Sequence, residues 1–234
     1  MPTRRLVLAG AAAALAFRMP APAAAVPAGD RLDFSVFRKK ASPMGSHRLR
    51  FTRDGDRLIM EKEIRLEVRL AFITAYRYRH VNREVWQQGR LVEIDTRTDD
   101  DGEEYQVYGR ANPEGFQVEG SRGRFTAPAD IIPTSYWNIA TIGATRLLDT
   151  QRGLVMDVRI DNHGKTDVET ADGSLMARHH SINILSNPPG STDRIDLWYD
   201  INDRWVALGF EAKGQNIHYI LDSADGGTPA ADRS

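Results

Sequence analysis

Cysteine is absent from all 234 positions. Its absence excludes thiol nucleophiles, thiolate metal sites and disulfide cross-links. The catalytic signatures readable from spacing are missing too: there is no Gly-x-Ser-x-Gly elbow, Walker loop, His-Glu-x-x-His helix or glycine-rich dinucleotide turn. A basic excess is also lacking, with 31 Lys plus Arg against 32 Asp plus Glu. The chain therefore has no electrostatic footprint for nucleic acid or for an anionic membrane surface.

What the N-terminus does have is a leader-like order of parts. Arg4 and Arg5 follow Thr3, an alanine-rich apolar stretch runs from Leu6 to Phe17, and Ala23-Ala24-Ala25 follows two prolines. Charged region, apolar region and small-residue cleavage site in that order describe a secretion signal, and the paired arginines make it the twin-arginine type. Arg18 supports this, because a basic residue just past the apolar run disfavours the general secretory route. The uncharged stretch of 12 residues would rise about 18 Å as a helix, too little for a hydrocarbon core of about 30 Å. The expectation is cleavage after Ala25, delivery to the periplasm or medium by the twin-arginine machinery, and no membrane anchor afterwards. Loss of Arg4, Arg5 and Arg18 leaves 28 basic against 32 acidic residues, a mildly acidic mature domain. Residues 26–222 are read as one β domain, and 223–234, small and polar, as a disordered tail.

Period-2 alternation dominates the rest. Leu58, Met60, Ile64, Leu66, Val68, Leu70 and Phe72 alternate with Glu61, Glu63, Arg65, Glu67 and Arg69, the mark of a half-buried strand. Only Lys62 interrupts the apolar face. Fifteen strand residues would reach about 50 Å, so the strand has to curve or carry a bulge, as in wrapped sheets. Further short strands are spaced by turns such as Asp54-Gly55, Asp99-Asp100-Asp101-Gly102, Asn162-His163-Gly164, Ala171-Asp172-Gly173 and Asn187-Pro188-Pro189-Gly190. The fold class expected is mainly β: a long antiparallel sheet wrapped as a half-barrel or barrel. A short helix over Pro133 to Ala144, capped by Thr134 or Ser135, acts as its plug or lid.

Tyr76 to Trp86 carries the most chemistry. Tyr76, Tyr78, His80, Asn82, Glu84 and Trp86 share one face, with Arg77, Arg79 and Arg83 on the other. Aromatic bodies with polar tips suit a ligand that is part apolar and part polar; a satisfied polar network inside a β core is the other reading. His80 and Glu84 could also serve as acid and base, but at about 13 Å along a strand they cannot share a metal ion. His179 and His180 are adjacent and point to opposite faces. No metal and no cofactor is expected. Tyr136 and Trp137 on the mid-chain segment, and Trp198 and Tyr199 near the end, complete the candidate ligand-binding set.

Taken together, Tyr76-Arg77-Tyr78-Arg79-His80, Glu84-x-Trp86, Gly89-Arg90-Leu91, Thr98 to Gly102, Thr134-Ser135-Tyr136-Trp137-Asn138, Leu148-Asp149-Thr150, Trp198-Tyr199-Asp200 and Trp205-Val206 resemble an uncharacterised family of bacterial exported proteins, known as a domain of unknown function. That family is similar to envelope proteins whose sheets wrap around a helix, such as the periplasmic lipoprotein carriers. The resemblance implies a half-barrel enclosing an apolar cavity, and it carries over no catalytic residue. The functional expectation is a periplasmic carrier of an apolar or amphipathic molecule, with a hydrolase or isomerase using His80 and Glu84, or an envelope scaffold that binds another protein, as alternatives.

Overall fold

The computed structural model describes residues 26–39, 42–70, 73–186, 192–212 and 214–222. The leader, the Asn187 to Gly190 turn and the tail expected from the sequence lie outside these residues, as does Phe72. Eight strands follow one another as a meander: β1 (Arg31–Arg38), β2 (Ser42–Asp54), β3 (Arg57–Leu70), β4 (Ile73–Gln87), β5 (Arg90–Asp100), β6 (Glu103–Asn112), β7 (Gly115–Gly120) and β8 (Gly123–Ala127). Two short strands come next, β9 (Ile132–Pro133) and β10 (Arg146–Leu148). A second meander then forms: β11 (Val155–Thr170), β12 (Gly173–Ile184), β13 (Arg194–Tyr199), β14 (Trp205–Ala212) and β15 (Gln215–Leu221). β15 returns to pair with β1, so both ends of the described chain meet mid-sheet, and all 15 strands form one sheet from β8 at one edge to β9 at the other. Every pairing is antiparallel except β9 with β10. The expected fold class, one long curved antiparallel sheet, is borne out.

Alternation places the core. The even residues Leu58 to Val68 of β3 and Tyr76 to Trp86 of β4 are buried or half-buried, while of their odd neighbours only Val85 is buried, as the period-2 pattern requires. Phe34, Leu49, Met60, Ile94, Leu197, Trp205 and Leu208 from both meanders bury their side chains in one continuous cluster. The segment 128–154 sends Ile131, Trp137, Leu147 and Leu148 into that cluster from the inner side. Trp137 packs on Phe51 of β2 and Trp86 of β4, with ring centroids 5.1 and 5.4 Å apart, while Tyr136 reaches Trp205 of β14 at 6.1 Å. At the far side, the amide and hydroxyl of Ser121 both donate to the Arg152 carbonyl at 2.8 Å.

The plug is therefore present, but its helix is smaller than the sequence suggests. Only Ile139–Gly143 turns, as a 3₁₀ helix capped by the Asn138 side chain rather than by Thr134 or Ser135. Tyr136 has φ of +62°, which breaks any helix through it. A second correction concerns Asn162-His163-Gly164. No hairpin forms there: β11 runs straight through for 16 residues, and the ladder shifts register between Asn162 and Gly164, so His163 is the extra residue of a bulge.

Candidate functional site

The inner face of β2 to β5 is a grid whose rows are set by register. Leu49, Lys62, Asn82 and Thr96 lie in one row, and His47, Ile64, His80 and Thr98 in the next. Lys62, the interruption in an otherwise apolar face, points into the wrap and is only 4% exposed. Its Nζ donates to Thr150 Oγ1 on the plug at 3.3 Å. Burial pulls its pKa down to about 8, partly opposed by the negative charges of Glu84 and Asp149.

Glu84 is fully buried and well supplied with donors. Oε1 accepts from Asn82 Nδ2 at 2.8 Å, and Oε2 accepts from Trp86 Nε1 at 2.9 Å and from Ser135 Oγ and Trp137 Nε1 at 3.3 Å. Two of those donors come from β4 and two from the plug, so the carboxylate ties them together. Its lone pairs are spent on structure, which leaves little for acid–base work.

The neighbouring polar groups are less well served. His80 Nδ1 pairs with Thr98 Oγ1 at 2.8 Å, but buried Nε2 has no hydrogen-bond partner among the described residues. Neither nitrogen of buried His47 has one, and Asn82 Oδ1 lacks one too. His47 lies edge-on to Trp205 and Tyr219. Both imidazoles are held well below the ordinary histidine value, by burial first and by the positive charge of Lys62 next. They are neutral in the folded protein near pH 7.

Tyrosines complete the inner face. Tyr76 donates to Asp100 Oδ1 at 2.9 Å, Tyr78 to Gln151 Oε1 at 3.2 Å, and Gln151 Nε2 closes the loop to Asp100 Oδ2 at 3.2 Å. Tyr199 donates to the Tyr136 carbonyl at 2.6 Å. Burial pushes the hydroxyls of Tyr76, Tyr78, Tyr136, Tyr199 and Tyr219 up, so all are neutral donors, and it also raises the Asp149 carboxyl.

Of the residues singled out from the sequence, Tyr76, Tyr78, His80, Glu84, Trp86, Tyr136, Trp137 and Tyr199 come together around the plug. Trp198 does not: it lies on the outer face, its ring stacked on His179 at 4.5 Å and 6°. His179 Nε2 pairs there with Asp196 at 2.7 Å, and bulged His163 with Ser181 Oγ at 2.8 Å. His180 points the other way and is buried. The Asp99 to Gly102 segment is the hairpin turn expected, its Gly102 amide donating to Asp99 Oδ1 at 2.8 Å. The outer face also has two adjoining open grooves of about 550 and 560 Å³, meeting at Val81 and Arg97, with arginines and carboxylates mixed along their walls. Sequence reasoning missed His47, Asp149, Thr150 and Tyr219 as members of the inner cluster. Lys62 had its signal in the broken alternation.

These features define a class: a wrapped antiparallel sheet plugged by its own chain, with a polar cluster on its inner face. The chain belongs to the DUF6134 family, a domain of unknown function, whose model matches residues 34–222. No curated protein matches it. Among solved structures it is similar to a β-barrel-like protein of the domain of unknown function DUF1849 from Brucella abortus, with a TM-score of 0.60 and 11% identity over 82% of this chain and 94% of that one. At that identity the likeness concerns the fold. A candidate lipoprotein from Parabacteroides distasonis aligns over 82% of this chain and 93% of its own, at a TM-score of 0.33 and 10% identity.

Proposed function

We propose that this domain is an exported binding protein that holds an apolar or amphipathic small molecule against the inner face of its sheet, in the periplasm or outside the cell. The observation that carries the reading is a cluster, on the inner face of β2 and β4, of four of the nine buried polar atoms that have no partner among the described residues: both nitrogens of His47, His80 Nε2 and Asn82 Oδ1. Each such group costs about 1–3 kcal/mol unless something bonds to it, and the polar end of a ligand does so. Leu49 and Ile64, in the same register rows, are the buried apolar side chains that its other end would pack against. The location rests on Arg4, Arg5 and the Ala23 to Ala25 site, and the twin-arginine machinery is the export partner this implies. Mass spectrometry under native conditions, with organic extraction of protein purified from the periplasm of its host, tests the reading. A co-purifying amphiphile supports it; a bare mass together with an empty extract overturns it.

A further inference from the structure

The sequence has five lysines against 26 arginines, and one of the five stands inside the wrap. We propose that Lys62 is a covalent anchor whose ε-amine condenses with the carbonyl carbon of a neutral, aldehyde- or ketone-bearing amphiphile. The proposal rests on the binding reading above and names its ligand class.

Position comes first. Lys62 is the amine of the inner grid, flanked in its row by Leu49 and Asn82 and along its own strand face by Met60 and Ile64. Its one hydrogen bond among the described residues goes to a neutral hydroxyl, Thr150 Oγ1. No carboxylate of the described residues lies within ion-pair distance, so the nitrogen lone pair is not committed to a salt bridge once the proton leaves. Arginine at this position would have no such lone pair.

Charge then selects the ligand. Two carboxylates, Glu84 on β4 and Asp149 on the plug, act on Lys62, while the nearby imidazoles, His47 on β2 and His80 on β4, are neutral. An anionic head group would bring a further negative charge into a desolvated interior that already holds two acids and one amine, an unfavourable addition. A carbonyl adds no charge. Burial also raises the share of free amine at neutral pH well above that of an exposed lysine, and an uncharged amine is the nucleophile required.

The chemistry balances without a co-reactant. The nitrogen lone pair forms the N–C bond, the carbonyl π pair moves to oxygen, and one amine proton passes to that oxygen. The hydroxyl then leaves with the second amine proton as water, and the imine remains. Burial along the inner face of β4 falls from His80 to half-buried Tyr78 and Tyr76, so the ligand enters from the tyrosine end.

Incubation of the exported full-length chain with decanal and cyanoborohydride, followed by peptide mapping, tests the anchor. The expected result is a reduced adduct on Lys62 roughly tenfold above those on exposed Lys39 and Lys165 near pH 7. Lys62→Met should lose that adduct while still retaining decanol under native mass spectrometry. Wild-type mapping carries the conclusion even where the variant folds poorly. Adducts on Lys39 and Lys165 but none on Lys62, with decanol still retained, overturn the anchor and leave the binding reading standing. Retention of neither decanal nor decanol overturns both.

Discussion

Trp137 Nε1 meets Glu84 Oε2 at 3.3 Å inside the sheet, and through this contact the plug and β4 share one carboxylate. Trp86 Nε1 approaches the same oxygen at 2.9 Å, so a single side chain orients both indoles. Glu84→Gln replaces one acceptor oxygen with an amide that faces donors. The expected cost is about 2–4 kcal/mol, in the range for a buried acceptor lost from charged hydrogen bonds. Urea unfolding followed by tryptophan fluorescence measures it, and an unchanged midpoint would show that the Glu84 hydrogen bonds do not hold the plug.

Lys62 works against stability near neutral pH. Its folded pKa of about 8 lies below the unfolded value of 10.5. Between those values the unfolded chain binds the extra proton, so stability rises with pH across that window and the full penalty, about 3 kcal/mol, is present below it. Lys62→Met keeps the straight apolar stem and removes the charge. The variant is expected to be more stable than the parent at pH 7 by roughly 1–3 kcal/mol, allowing for the lost Thr150 contact, and to lose the rise in Tm between pH 8 and 10.

Much of this could be read from the sequence where the signal is local. The even face of β4 and the exception at Lys62 follow from period-2 alternation, which depends on neighbours two residues apart. The Asp99 to Gly102 turn was legible for the same reason. The bulge at His163 was not, because Asn-His-Gly favours a hairpin and a bulge equally, and pairing with β12, distant in sequence, decides between them. The plug misled in a similar way: β9 and β10 exist only because β10 finds β11 and then β9 beside it. Trp198 and Tyr199 could have been separated at the outset, since adjacent strand residues face opposite sides. Asp149 carries no local signal at all; it joins the inner cluster because residues 128–154 run through the wrap.

Acid weakens the fold through the same cluster. His47 and His80 are held below the ordinary histidine value by burial and by Lys62, so in the folded state they stay neutral while the unfolded chain takes up protons near pH 6.5. Stability therefore falls as pH drops below about 6.5. Asp149 has the opposite sign, since its raised carboxyl favours proton uptake by the folded state, and its effect belongs to the carboxylate range at lower pH. His47→Phe suits the surrounding rings of Phe34, Trp205 and Tyr219. Between pH 6.5 and 5 it should flatten the decline in Tm; a parallel decline in parent and variant would place the acid sensitivity elsewhere.

Gly120 and Gly153 bring two backbones together where the first meander meets the end of the plug. A Cβ built on Gly120 would lie 2.8 Å from both the Arg152 carbonyl oxygen and the Gly153 Cα, and backbone atoms cannot swing aside as a flexible side chain can. Gly120→Ala must therefore push the β7–β8 turn away from residues 152–153 and weaken the two bonds from Ser121 to the Arg152 carbonyl. The expected cost is roughly 1–3 kcal/mol. Hydrogen exchange should also quicken at the Thr150 and Gln151 amides, because the plug loses its outer fastening before the sheet unfolds. Gly209→Ala is the control. Its Cβ would meet the Trp198 ring at 3.7 Å and the Ile217 carbonyl oxygen at 3.9 Å, both ordinary contact distances, and exchange in the plug should not change. Equal effects of the two substitutions on plug exchange would mean that the Gly120–Gly153 approach fastens nothing, and that the segment is held by its contacts with the inner face instead.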